Sequence, residues 1–153
     1  MTVQKHDGSV FPALTNKNEV IAAKKIYKWE ILGHYAGKRF FEKIYDKGAH
    51  ALGGLLINID SYSYGCEKMF ISGFREGNIT IYINACTTYA SGDESVSLPK
   101  RNVSFINHKE NGVTIPFVIA MDDIEPGESL WLDYGKQYWQ VMNTPINVDE
   151  EDN

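Results

Sequence analysis

The 153-residue chain is poor in the residues that build metal centres and crosslinks. It has two cysteines, Cys66 and Cys86, and four histidines, His6, His34, His50 and His108. The cysteines stand in separate segments with no CxxC and no neighbouring histidine. The histidines lack ligand spacing, so no metal site is expected. Two cysteines leave a single disulfide open but make no disulfide framework. Positive charge is also short: 15 Lys and Arg against 20 Asp and Glu give a net charge of −5. Non-specific nucleic-acid binders carry a basic excess, so no direct nucleic-acid binding is expected. The acidity suits a basic protein or peptide partner, although the same charge also serves plain solubility. Long apolar runs are missing. Ala51 to Ile59 and Ile115 to Met121 are far too short to cross a bilayer. Met1 to Asp7 is polar and lacks the apolar core of an export signal. The expected place is the cytoplasm of the producing cell; a host cell or nucleus would need export by a signal-less route. Nucleotide and hydrolase signatures are absent too. Gly53-Gly54 and Gly8 are too sparse to cradle phosphates, and no serine sits in a nucleophile elbow. Asp122, Asp123 and Glu125 fall in a turn and Asp93-Glu94 in a polar loop, where solvation explains them.

What the chain does have is strand signal. Helix signal is scarce: Asn18 to Lys28 reads as a short amphipathic helix or as a strand entering a turn. Trp29 to Tyr35 is apolar and ends before Gly37. Asn78 to Ala85, Asn-Ile-Thr-Ile-Tyr-Ile-Asn-Ala, alternates with β-branched residues and predicts a strand. Val113 to Met121 predicts another, with Pro116 marking an edge or a bulge. Pro126-Gly127 marks a turn, and Ser129 to Asp133 a last short strand. Lys47 to Gly54 and Ser91 to Lys100 read as loops. No internal repeat stands out. Length allows one domain, expected over residues 1–142. Residues 143–153, with Pro145 and Asp149-Glu150-Glu151-Asp152, have little to bury and read as an acidic tail. The fold class expected is mostly β, with few short helices.

Three stretches resemble the SET domain, the fold of one class of protein-lysine methyltransferases. Asn102-Val103-Ser104-Phe105-Ile106-Asn107-His108 resembles the family's RFINHSCxPN segment. Ile115 to Gly135, IPFVIAMDDIEPGESLWLDYG, is similar to its strand, DI-x-x-GEEL turn and DYG end, and Tyr138-Trp139 extends the match. Val20 to Gly37, VIAAKKIYKWEILGHYAG, resembles its opening VFA-x-x-x-I-x-x-GE-x-I-x-x-Y-x-G. Departures are equally plain. Lys17-Asn18-Glu19 stand where the family has Gly-x-Gly, and Lys109-Glu110-Asn111-Gly112 follow Asn107-His108 in place of Ser-Cys-x-Pro-Asn. No Cys-rich module follows.

The resemblance implies a β-clip fold of small sheets with a threaded C-terminal segment, and S-adenosyl-L-methionine as cofactor. It implies cofactor contacts from Phe105, Asn107, His108 and Tyr35, and a catalytic hydroxyl from Tyr134. It assigns the lysine channel to Tyr62, Tyr64 and Trp139. It further implies that Asn107-His108 and Asp133-Tyr134 meet at the centre of the molecule. Each residue also has a plain structural reading. Tyr134 can be a buried tyrosine with a satisfied hydroxyl, Asn107-His108 a turn, Tyr62 and Tyr64 same-face packing, and Phe105 core. Two functions follow. One is a protein-lysine N-methyltransferase. The other is an inactive SET-like interaction module that has lost cofactor binding.

Overall fold

The structure, a computed structural model, describes residues 1–9, 14–41, 56–59, 69–73, 76–90, 94–97 and 99–135. Among these residues there is no α-helix, and the elements are short strands. The first six are β1 (Thr2–Lys5), β2 (Asn18–Ile21), β3 (Ile31–His34), β4 (Lys38–Phe41), β5 (Leu56–Ile59) and β6 (Met69–Ser72). The rest are β7 (Asn84–Ala85), β8 (Thr87–Ala90), β9 (Glu94–Ser97), β10 (Val103–Glu110), β11 (Val113–Ala120) and β12 (Trp131–Leu132). They pair into small sheets: β1-β2, β10-β11-β3, β4-β6-β5, β8-β9 and β12-β7. The last is parallel; the others are antiparallel.

The longest hairpin, β10-β11, closes on Asn111-Gly112, whose φ angles of 49° and 75° are those a tight hairpin turn demands. Pro116, expected at an edge or bulge, lies buried in the central strand β11. It is tolerated there because β3 pairs only with Phe117 to Ile119; the irregularity falls between Val118 and Ile119. The expected strand Asn78 to Ala85 is a 3-10 turn over Ile79–Tyr82 followed by the two-residue β7. Asn78 causes this. Its side-chain oxygen accepts from Thr80 N and Thr80 Oγ1, and its amide donates to His34 O, so a local cap outcompetes the ladder. The ambiguous Asn18 stretch opens as strand β2. The expected loop Ser91 to Lys100 contains β9. Lys47 to Gly54 lies outside the described residues, as do residues 143–153.

An internal repeat, not expected from the sequence, organises the centre. Ala22, Ile26, Trp29 and Glu30 recur in position as Ala120, Ile124, Gly127 and Glu128. The two turns bond reciprocally: Ile26 and Ile124 exchange both backbone hydrogen bonds at 2.9 Å, Trp29 N donates to Ala120 O, and Gly127 N donates to Ala22 O. Within each, the glutamate carboxylate accepts from the backbone three residues earlier, Glu30 from Tyr27 N and Glu128 from Glu125 N. The first copy carries Lys24, Lys25 and Lys28, the second Asp122, Asp123 and Glu125; Lys25 Nζ meets Glu125 at 2.8 Å. Trp29 takes a left-handed φ of 73° where its counterpart Gly127 has 85°, a conformation that a bulky side chain adopts only under strain.

Around this crossing lies the main core: Val20, Ala22, Ile26, Ile83, Val103, Val118, Ala120, Ile124, Leu130 and Leu132. A smaller cluster holds Tyr35 and Ile71, and Phe105 packs against both.

Candidate functional site

The C-terminal segment Ser129 to Leu132 passes between three earlier stretches. On one side Leu130 N donates to Val20 O, and Ser129 bridges Ile21. On another, Asn102 clasps the backbone through both ends of its amide, from Nδ2 to Ser129 O at 2.9 Å and from Trp131 N to Oδ1 at 2.8 Å. On the third, β12 pairs in parallel with β7, Trp131 beside Asn84 and Leu132 beside Ala85. Cys86 N extends that ladder to Leu132 O at 2.9 Å.

Just beyond β12 comes Asp133-Tyr134-Gly135. Asp133 Oδ1 accepts from Gly135 N at 2.8 Å, closing a small turn in which Gly135 has a φ of 84°. Among the described residues beyond its chain neighbours, nothing lies within 4 Å of where its Cβ would stand, and the positive φ by itself calls for glycine. The turn aims Tyr134 back at β7: its ring packs on the main core, and its hydroxyl donates to Ile83 O. Asn84 completes the group, its Nδ2 donating to Asn18 O at 3.0 Å. Burial, with Asp133 nearby, raises the ionisation of the Cys86 thiol above its ordinary value, so Cys86 is a protonated wall and not a nucleophile. It is also free of any disulfide.

The expected meeting of Asn107-His108 with Asp133-Tyr134 does not occur; the C-terminal segment has a different partner. Asp133-Tyr134 meets Ile83 to Cys86, not Asn107-His108. Asn107 and His108 lie exposed on the outer end of β10, opposite Pro116 and Ile115. The reason is register: the Asn-Gly hairpin turn carries that end of β10 away from β12. His108 touches Phe117 at 6.2 Å between ring centroids. Tyr35 and Phe105 do come together, edge to face at 5.8 Å, as core packing between the two clusters. Tyr62, Tyr64 and Trp139 lie outside the described residues.

Sequence reasoning missed Asn84. A signal was present: Tyr82-Ile83-Asn84 repeats the aromatic-Ile-Asn order of Phe105-Ile106-Asn107, with Ala85 where the family has His. The loss of Gly-x-Gly also looks different in three dimensions. Alternation along β2 turns the Glu19 carboxylate to the Gln4–Ser129 side, where it accepts from both at 2.7 Å. Asn18, between the two replaced glycines, presents its carbonyl to Asn84. Glu19 therefore spends its carboxylate on Gln4 and Ser129, and the Asn84 amide meets the Asn18 carbonyl instead.

No protein-family model matches the chain, and no curated protein matches it. Solved structures do. ATXR5, in complex with a mono-methylated histone H3.1, superposes with a TM-score of 0.60 at 19% identity over 76% of this chain. A humanized mutant of Chaetomium thermophilum Polycomb Repressive Complex 2, bound to the inhibitor GSK126, superposes with a TM-score of 0.58 at 21% identity over 77%. The chain spans 51% of the length of the first and 13% of the second. Small sheets, a C-terminal strand laid between earlier stretches and these superpositions together give the chain the SET-domain fold.

Proposed function

We propose that the chain is an S-adenosylmethionine-dependent methyltransferase acting on a lysine of a basic protein or peptide, with Tyr134 as catalytic residue and Asn84, not Asn107, beside the cofactor. The observation that carries the proposal is the parallel pairing of β7 with β12. It brings Ile83, Asn84 and Tyr134 to one place with Asn18. When bound, S-adenosylmethionine supplies a methyl on a sulfonium, and the S–C bond breaks as the lysine nitrogen forms its new N–C bond.

The chain's part is alignment and proton control. A lysine in water holds its proton near neutral pH and must release it to solvent before it can attack. Tyr134 commits its hydroxyl proton to Ile83 O, so it meets an incoming amine as a hydrogen-bond acceptor. That orients the nitrogen while the core-packed ring fixes the oxygen. The lysine channel is assigned to Tyr62, Tyr64 and Trp139 on resemblance alone; aromatic walls lower an amine's proton affinity by desolvation and favour its cationic product. The net charge of −5, and the histone bound by ATXR5, support a basic substrate.

Two features favour the competing reading, an inactive interaction module: Ala85 in place of the family's His, and Lys17 and Glu19 in place of glycines. One preparation decides between them. S-adenosylhomocysteine should raise the melting temperature, because a ligand of the folded state stabilises by mass action. Tyr134→Phe should lower single-turnover methyl transfer to a Lys-rich peptide by about 10²–10³ with cofactor affinity little changed. No thermal shift at millimolar cofactor, or full turnover in the Phe variant, returns the chain to the interaction-module reading.

A further inference from the structure

Beside β1 and β2 is a polar cavity of about 430 Å³, lined among others by Gln4, His6, Glu19, Asn102, Ser129 and Trp131. Two of these residues are deeply buried and polar: His6 is 4% exposed and Glu19 6%. His6 Nδ1 accepts from Gly8 N at 2.8 Å, so in the neutral ring the proton sits on Nε2. Nε2 lies 3.8 Å from Glu19 Oε2, beyond hydrogen-bond reach, and meets no other polar partner among the described residues. A buried N–H without an acceptor is destabilising and rare, so its presence in a cavity wall points to an occupant.

The wall dictates what that occupant is. Glu19 Oε1 accepts from Gln4 and Oε2 from Ser129, and each oxygen keeps a second lone pair. The Asn102 amide is engaged at both ends in holding the chain, at Ser129 O and Trp131 N. Between the two deeply buried residues, one donor, His6 Nε2–H, stands beside one acceptor, the Glu19 carboxylate, 3.8 Å apart. A carboxylate ligand fails, since it has no donor and is repelled by Glu19. An ammonium fails, since it has no acceptor for the imidazole. A planar group with acceptor and donor side by side satisfies both, with the Trp131 indole packed edge-on to His6 at 5.8 Å beside it. We propose that this cavity binds a primary carboxamide, with His6 donating to its oxygen and Glu19 accepting from its nitrogen.

The chemistry has two sources, a free small molecule or a glutamine side chain, and two probes separate them. Nicotinamide and N-acetylglutamine methylamide are titrated into the unaltered protein, and the backbone amides of Gly8 and Ser129 are followed by NMR. Nicotinic acid, which keeps the ring and replaces the amide with a carboxylate, is the control. A saturable shift with either carboxamide, and binding of nicotinic acid weaker by roughly tenfold or more, is the expected result. Nicotinamide binding alone indicates a small molecule, and the glutamine compound binding alone indicates a peptide. Glu19→Gln and His6→Phe, each checked for a cooperative thermal transition, should both remove the shift. Water as the sole occupant, seen as no saturable shift with either carboxamide, overturns the proposal. Equal binding of nicotinic acid overturns it as well, as does a shift that survives in both folded variants. None of these readouts depends on methyl transfer.

Discussion

Tyr82-Ile83-Asn84 and Phe105-Ile106-Asn107 read almost alike along the chain, yet the fold treats them as opposites. In the first, Ile83 is 1% exposed in the main core, its carbonyl takes the Tyr134 hydroxyl, and the Asn84 amide reaches across to β2. In the second, Ile106 is 48% exposed and Asn107 faces solvent, while only Phe105 turns inward. The cause is the partner. The first segment is too short to make a sheet of its own and pairs with β12, which arrives from far along the chain. The second belongs to a long local hairpin, satisfied by β11 residue for residue. Only the first motif is closed over by a distant strand, and the proposed site draws groups from both.

The largest difference should appear in stability. Ile83→Ala removes buried methylenes from the centre of the core and should destabilise by about 2–5 kcal/mol. Ile106→Ala, at a half-exposed position, should change stability by no more than about 0.5 kcal/mol. Urea midpoints with unchanged slopes would measure both. Equal losses would mean that the two segments share burial after all, and the contrast would fail.

The asparagines should differ by less in stability and more in function. Asn84→Ala deletes a partly buried hydrogen bond to Asn18 O and should lose about 1 kcal/mol. It should also abolish the thermal shift given by S-adenosylhomocysteine. Asn107→Ala should alter neither quantity. Loss of the shift in the Asn107 variant, with Asn84→Ala retaining it, would hand the cofactor back to the β10 segment.

Much of the frame was legible. Strand β11, the turn through Ile124 to Glu128 and the Asp133-Tyr134-Gly135 end follow from alternation, Pro-Gly and the resemblance, because each is local. Of the proposed site, Tyr134 was named from the resemblance and its partner was hidden, since 51 positions separate Ile83 from Tyr134 and no periodicity spans them. Asn107-His108 was the more attractive match because it retains the histidine that Ala85 lacks, yet histidine says nothing about which strand lies opposite. The internal repeat escaped notice for a different reason. Its two copies carry opposite charge, Lys24-Lys25 against Asp122-Asp123, and Trp29 occupies the left-handed position where the other copy has Gly127. Only backbone geometry shows that one turn is made twice. The 3-10 turn at Ile79 was lost because the Asn78 cap acts through one side chain, against a run of β-branched residues.

The smallest effect should come from Cys86, two residues past Asn84, compared with His108, which follows Asn107. The Cys86 thiol is 2% exposed, and burial, reinforced by the Asp133 charge, holds its ionisation above the ordinary value of 9.0. The folded protein therefore keeps this proton at a pH where the unfolded chain has released it. With more protons bound in the folded state, stability must fall as pH rises. The contribution is whole below about pH 9 and drains away as pH climbs through the folded-state value. Relative to wild type, Cys86→Ala should show a fixed offset up to about pH 9 and a shallower decline above it. His108→Ala, at an exposed position of β10, should leave the alkaline limb unchanged. Urea midpoints at neutral pH and at two alkaline values give the comparison. If wild type and Cys86→Ala decline in parallel, the thiol is not held protonated by its surroundings, and the packing of β7 against β12 is looser than these contacts require.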